Sequence, residues 1–307
     1  MSAVSSSIST LVVCWNNGDF LGRCLESVPS DSDLVVVDNG STDRGADIVA
    51  ERFPSATLIR LERNEGFAAG VNRAAAKATG TYLLLLNPDA EATPRAIERL
   101  ATYLDEHSTC GAVAGRLLSM TEEPQHDFHA RRLPTMSSLA FELLLVNRLW
   151  PRNPITRRAE LADLDETVTG PIERSASCCF MVRRAAFDQV GGLDEQFTPA
   201  WFEDADLCKR LLDAGWSIYS VPTAVFRHLG GTSVRTLGRA RRKRIFYRNM
   251  ERYVRKHHGR LGAAIVKTLL VTGMGLRVAG SALRADREGI NAFSSVLSGT
   301  LRGWKHE

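Results

Sequence analysis

The sequence has no Cys-x-x-Cys pair. Its six cysteines (Cys14, Cys24, Cys110, Cys178, Cys179 and Cys208) stand in apolar or helical contexts, which argues against a zinc knuckle or a disulfide framework and fits a reducing cytoplasm. There is no G-x-G-x-x-G and no P-loop, so no glycine-rich phosphate cradle follows the first apolar run. Met1 to Ser9 lack a basic segment and lead straight into the β-branched stretch Ile8 to Val13, which reads as a core strand rather than a secretion signal. A helix needs about twenty uninterrupted apolar residues to span a bilayer. Lys267 and Arg277 break the stretch Gly262 to Leu283, so it is expected to lie on a membrane surface rather than cross it.

With 307 residues, 44% of them hydrophobic and 24% charged, the chain can bury a full α/β core with material left for one appendage. Charge is unevenly spread: 22 basic and 31 acidic residues through Val234 leave the body at −9, while 17 basic and 4 acidic from Arg235 onward put the tail at +13. Such asymmetry points the tail toward an anionic partner, phospholipid or nucleic acid.

Ile8 to Cys14, Leu34 to Val37, Ala56 to Leu61 and Thr81 to Leu86 are short runs rich in Val, Ile and Leu, the pattern of strands buried on both faces. Helix-like stretches alternate with them (Asp19 to Val28, Asp43 to Phe53, Phe67 to Lys77), which predicts a mostly parallel, Rossmann-like α/β sheet. A helix over Pro94 to Glu106 and a strand over Ala112 to Gly115 follow. Residues 117–170 lose periodicity and read as an acceptor-side insertion, partly mobile. Ser175 to Val182, a helix over Glu203 to Ala214, and two strands, Trp216 to Tyr219 and Ala224 to His228, complete a domain spanning residues 1–234. Residues 235–307 form a basic helical region.

In doubly wound sheets ligands gather at the carboxyl ends of the strands. Those ends read Cys14-Trp15-Asn16, Asp38-Asn39-Gly40-Ser41, Arg63-Asn64-Glu65-Gly66 and Asn87-Pro88-Asp89. A carboxylate held at such an end, as Asp38 and Asp89 are, suits a ribose or base contact or a hard cation; Asp38 to Asp43 equally suits a turn and helix cap.

The ordered motifs V-V-C-W-N-N, V-V-V-D-N-G-S-T-D, R-N-E-G-F-A-A-G-V-N, L-L-L-L-N-P-D, G-G-L-D-E-Q-F and W-F-E-D-A-D-L-C-K-R, spread over Ile8 to Ser233, resemble the family 2 glycosyltransferases with a GT-A fold. Within them the likeness is to the rhamnosyltransferase branch, where N-P-D stands in place of D-x-D. That resemblance implies an enzyme that transfers a sugar, rhamnose from dTDP-rhamnose by analogy, from a dTDP- or UDP-linked donor with inversion. The acceptor hydroxyl would belong to a cell-surface or polyprenyl-linked glycan.

The same resemblance assigns Asn16 and Asp38 to the base and ribose and Asn64 and Asn72 to the base or phosphates, with Cys14, Trp15, Asn39, Gly66, Asn87 and Pro88 lining the donor. It implies a divalent metal, Mg²⁺ or Mn²⁺, bound by Asp89 with His228 as second ligand, and Asp204 as general base. Glu203 and Asp206 would position acceptor or metal, and Trp201 would stack on a sugar.

The chain departs from the pattern in two places. Asn87 replaces the first acid of D-x-D, and Ser175-Ala176-Ser177-Cys178-Cys179 stands where relatives have Gly-Ala-Cys. A nucleotidyltransferase and a nucleic-acid-binding protein are the rival readings; the first lacks its phosphate loop and the second is opposed by the acidic body, so no nucleic acid is expected. For the tail, membrane-surface contact at the inner face of the plasma membrane, a dimerisation element and a solvated basic helix are the three readings.

Overall fold

The computed structural model describes residues 7–125, 130–161, 165–231 and 237–304. Met1 to Ser6, the expected domain boundary at Val234 and Arg235, and parts of the 117–170 stretch lie outside them. The described residues form two compact units, one of residues 1–131, 164–199 and 203–233, the other of 132–163, 200–202 and 234–307.

In chain order the strands are β1 (Ile8–Cys14), β2 (Asp33–Asp38), β3 (Thr57–Arg60), β4 (Tyr82–Leu86), β5 (Ala90–Ala92), β6 (Cys110–Leu118), β7 (Gly170–Pro171), β8 (Cys179–Arg183) and β9 (Ser217–His228). The helices are α1 (Gly18–Glu26), α2 (Gly45–Arg52), α3 (Phe67–Lys77), α4 (Ala96–Glu106), α5 (Met136–Leu143), α6 (Val146–Leu149), α7 (Pro154–Ala159), α8 (Arg184–Gln189), α9 (Glu203–Asp213), α10 (Arg239–Leu283) and α11 (Arg287–Arg302).

The first unit is a single mixed sheet in the order β3-β2-β1-β4-β8-β6-β9-β5, with β7 also pairing β9. Its first four strands are parallel, as the apolar runs predict: every residue of β4 is buried, and so are Leu11 to Cys14 and Val35 to Val37. Beyond β4 the direction reverses. β8 runs antiparallel between β4 and β6, and β6 pairs in parallel with β9.

Three differences from the sequence reading concern elements. The two expected strands at Trp216 and Ala224 are one continuous β9, with the register slipping where Val221 and Val225 face Gly115 and Arg116. β5, which follows Asn87-Pro88-Asp89, pairs antiparallel with the end of β9 and sets Ala90 opposite His228. The 117–170 stretch is not a single irregular insertion. β6 extends into it as far as Leu118, and three helices, α5 to α7, occupy 136–159, inside the second unit.

The second unit is built on α10. Gly259 adopts a left-handed conformation (φ 70°) that interrupts the helix and divides it into two limbs. The return limb brings Arg277 back beside Lys243 and Tyr247, so the limbs run antiparallel. Helix α11, absent from the sequence reading, runs parallel to the first limb: Arg239 meets Asp286, Arg244 meets Ser295, and Glu251 accepts from the Trp304 indole. Asp286 caps α11 by accepting from the Gly289 N–H at 2.8 Å. Helix α10 holds an 18-residue window long and apolar enough to cross a bilayer by length and composition, and one third of that window is buried.

Candidate active site

Three loops at the carboxyl ends of β1, β2 and β3 are tied to one another by their own polar side chains. Asn16 Oδ1 accepts from the Thr42 N–H at 2.8 Å, and the Asn16 N–H donates to Ser41 Oγ at 3.0 Å. Asp38 is buried at the end of β2, where Oδ1 accepts from the Ser41 N–H at 3.1 Å. Asn39 Nδ2 donates to the Gly66 carbonyl at 3.1 Å and to Asn64 Oδ1 at 3.3 Å, while its Oδ1 accepts from the Glu65 N–H at 2.9 Å.

Gly66 closes the third loop at φ 98°, and a Cβ there would lie 2.8 Å from Thr198 Oγ1, so no other residue fits. Trp15 is half-buried, its N–H donating to Asn17 Oδ1. Burial, then the Asp38 carboxylate, push the Cys14 thiol up to about 12, which leaves it a neutral wall of the pocket floor.

Asn72 meets the 191–195 turn. Its Nδ2 donates to the Leu193 carbonyl (2.8 Å) and to Glu195 Oε1 (2.9 Å), and its Oδ1 accepts from the Leu193 N–H (2.9 Å). The amide thereby holds that turn against α3.

After β4 the chain turns through Asn87 and Pro88 to Asp89. The Asn87 N–H donates to the Cys178 carbonyl at 3.1 Å, and its own carbonyl accepts from the Cys24 thiol at 3.3 Å. Asp89 is 6% exposed and His228 fully buried, with His228 Nε2 3.3 Å from Asp89 Oδ1. The other ring nitrogen, Nδ1, lies 2.9 Å from Gln125 Oε1, while Gln125 Nε2 donates to the His228 carbonyl at 2.6 Å. The Gln125 amide thereby turns its oxygen to Nδ1, an arrangement in which a neutral ring holding its proton there would turn the Nε2 lone pair toward Asp89. An imidazole lone pair and a carboxylate oxygen facing each other are a donor set that fits a divalent cation. Among the described residues no third His, Cys, Asp or Glu joins them.

Helix α9 begins with the acid cluster. Asp204 is half-exposed and its Oδ1 accepts from the Ala205 N–H at 2.7 Å, which fixes the carboxylate at the helix N-terminus. Glu203 is buried, and that desolvation, then the Asp204 charge, hold its carboxyl well above the usual carboxylate range, with Arg174 opposing more weakly. Asp206 is fully buried and accepts from Arg210 Nε at 2.8 Å.

Trp201 belongs to the second unit, at φ 73°, with its ring edge-on to Phe246 at 6.3 Å. Asn249 Nδ2 fixes this strap by donating to the carbonyls of Ala200 (2.8 Å) and Trp201 (3.2 Å).

Cys178 is the buried residue before β8, and its carbonyl accepts from the Asn87 N–H. Its thiol is driven up by burial, then by Cys179, Asp89 and Asp204, so it sits within the field of both acids. Cys178, Gln125 and Arg174 are site residues the sequence reading missed. A thiol in an apolar run carries no chemical signature, and Gln125 and Arg174 fall in stretches without periodicity.

Comparison with known proteins follows the same lines. Residues 9–191 match the model of glycosyl transferase family 2, and residues 164–230 match that of the N-terminal domain of galactosyltransferase. The chain is 31% identical over 240 residues, 72% of its own length and 75% of the relative's, to N-acetylglucosaminyl-diphospho-decaprenol L-rhamnosyltransferase of Mycobacterium tuberculosis (strain CDC 1551 / Oshkosh).

Among solved structures it resembles the mannosyltransferase PcManGT from Pyrobaculum calidifontis in complex with GDP-Man and Mn²⁺ (TM-score 0.55, 14% identity, 99% of this chain and 89% of that one). It also resembles GalNAc-T7 with UDP, GalNAc and Mn²⁺ (TM-score 0.58, 20% identity, 74% of this chain), of which it spans 44% of the length. The matching fold is GT-A. With N-P-D at the end of β4, an acid cluster opening α9 and a family match over 9–191, the chain belongs to glycosyl transferase family 2 and is a glycosyltransferase of rhamnosyltransferase-like type.

Proposed function

We propose that the enzyme moves a deoxyhexose, rhamnose from dTDP-rhamnose, onto a hydroxyl of a polyprenyl-diphosphate-linked glycan with inversion, in the assembly of a cell-surface polysaccharide. The observation that carries the reading is the family match over residues 9–191 on a sheet whose β4 ends in the N-P-D carboxylate and whose α9 opens on the acid cluster. The relative named for a decaprenol-diphosphate acceptor supports the lipid-linked substrate.

Asp38 and Asn16, held by the 38–42 turn, take the nucleoside, and the Asn64 to Gly66 loop closes over it. Asp204 accepts the acceptor's proton. Its Oδ1 is anchored by the Ala205 N–H, which leaves Oδ2 to the hydroxyl that attacks the anomeric carbon. Glu203 beside it is buried, and its carboxyl is held well above the usual carboxylate range. Asp89 and His228 would hold a Mg²⁺ or Mn²⁺ ion, which neutralises the diphosphate as the glycosidic oxygen departs.

The basic tail and the exposed Leu261, Ile265, Leu276 and Leu283 support a peripheral position on the inner face of the plasma membrane, where such an acceptor resides. Calorimetric titration with dTDP, UDP and GDP, each with and without Mg²⁺ or Mn²⁺, tests the donor side. Metal-dependent binding of dTDP that disappears in Asp89→Ala is expected. Failure of every nucleotide to bind would overturn the assignment of this site.

A further inference from the structure

Folding in the second unit gathers more cations than it neutralises. Lys243 is half-buried on the first limb of α10, and Arg239, Arg242 and Arg277 lie close enough to act on its charge, with Glu142 the one acid that does so. Two of the arginines are committed. Arg239 Nη1 reaches Asp286 Oδ2 at 3.0 Å, and Arg277 Nη2 donates to the Glu142 carbonyl at 2.8 Å. Arg242 and Lys243 have neither an ion pair nor a side-chain hydrogen bond among the described residues. Desolvation, and then the three arginines against the opposing Glu142, pull the Lys243 amine below the usual lysine range.

Withdrawing a lysine from water among like charges is unfavourable unless something negative joins it. A single carboxylate would leave most of the local charge standing. A diphosphate, with two or three negative charges and acceptor oxygens on all sides, matches an arginine fork beside a lysine point charge. The surroundings add a second requirement. Leu276, the neighbour of Arg277, and Leu283, seven residues on and so on the same face of the return limb, are 50% and 90% exposed. Exposed leucines on the limb that carries Arg277 suit an anion that brings an apolar chain with it.

We propose that Arg242 and Lys243, backed by Arg239 and Arg277, bind the diphosphate of a prenyl-diphosphate lipid. The assignment rests on the lipid-linked acceptor argued above and gives that acceptor an anchoring point in residues that the family motifs do not include.

The probes are inorganic pyrophosphate and farnesyl diphosphate, titrated calorimetrically without divalent metal at fixed ionic strength. The proteins are the wild type, Arg242→Gln/Lys243→Gln, and a charge-matched control at two exposed positions, Lys256→Gln/Arg260→Gln. Both probes should bind the wild type, farnesyl diphosphate more tightly. The Arg242/Lys243 pair of substitutions should weaken both by about tenfold or more, as loss of two charge-assisted hydrogen bonds implies, and the control by less than about twofold. Arg242→Gln alone, which leaves the buried position untouched, should show part of the loss.

Equal losses in the control would reduce the effect to net charge and overturn the proposal. Pyrophosphate binding that survives the Arg242/Lys243 changes but vanishes in Asp89→Ala would place the anion at the donor site and overturn it too. If farnesyl diphosphate binds no tighter than pyrophosphate, the prenyl part fails. Metal-dependent dTDP binding, measured on the same variants, separates this outcome from failure of the glycosyltransfer reading: it should be unchanged in Arg242→Gln/Lys243→Gln.

Discussion

At the scale of single residues, the site divides labour between acids by environment. Asp204 is half-exposed at a helix N-terminus, whereas Glu203 beside it is buried, which holds its carboxyl well above the usual carboxylate range. Asp204→Asn should therefore lower kcat by about 10² to 10⁴ while leaving nucleotide affinity intact, measured as steady-state transfer against calorimetric binding. For Glu203 the sign runs the other way from an ordinary carboxylate. Its folded pKa lies above the ordinary value of 4.5, so its contribution to stability is present at acid pH and is lost as pH climbs from that value through the folded one. Glu203→Gln should flatten that decline in urea melts taken across pH, and an unchanged slope would count against a raised Glu203 carboxyl. Asp89 and Asp204 could be singled out because their motifs occur in a fixed order, and His228 because it ends the last strand-like run. Gln125 and Cys178 could not, since what they do depends on which atoms the fold sets opposite them.

Among elements, the parallel half of the sheet was readable to within a residue or two, because strands buried on both faces leave unbroken apolar runs. Two elements escaped. β5 is three residues long and owes its existence to pairing with β9. Helix α11 follows the polar turn Arg284 to Asp286 and is fixed by contacts with a limb some fifty residues upstream. The partners of Asn72 escaped for the same reason: sequence shows the residue, not the Leu193 backbone that it holds. Asn72→Ala should cost about 1–3 kcal/mol in unfolding free energy, the price of an unsatisfied buried turn, with little change in dTDP affinity. A large loss of affinity without loss of stability would place it in the nucleotide pocket.

For the whole molecule, the separation of a −9 body from a +13 tail predicts an orientation rather than a fold. Each basic side chain near an anionic leaflet contributes about 1 kcal/mol, a contribution that salt screens. The protein should float with phosphatidylglycerol-rich vesicles and not with neutral ones. Raised salt should release it, and so should Leu261→Ser, Ile265→Ser and Leu283→Ser together; flotation indifferent to all of these would leave the tail without a membrane role.

The second unit also gathers three separate stretches of chain, 132–163, 200–202 and 234–307, the middle one only three residues long and placed directly before Glu203. Recombination between relatives therefore cannot exchange that unit by a single crossover. A chimera that swaps the C-terminal region alone would pair a foreign helical bundle with a resident strap, and acceptor preference should travel between relatives only when all three stretches move together.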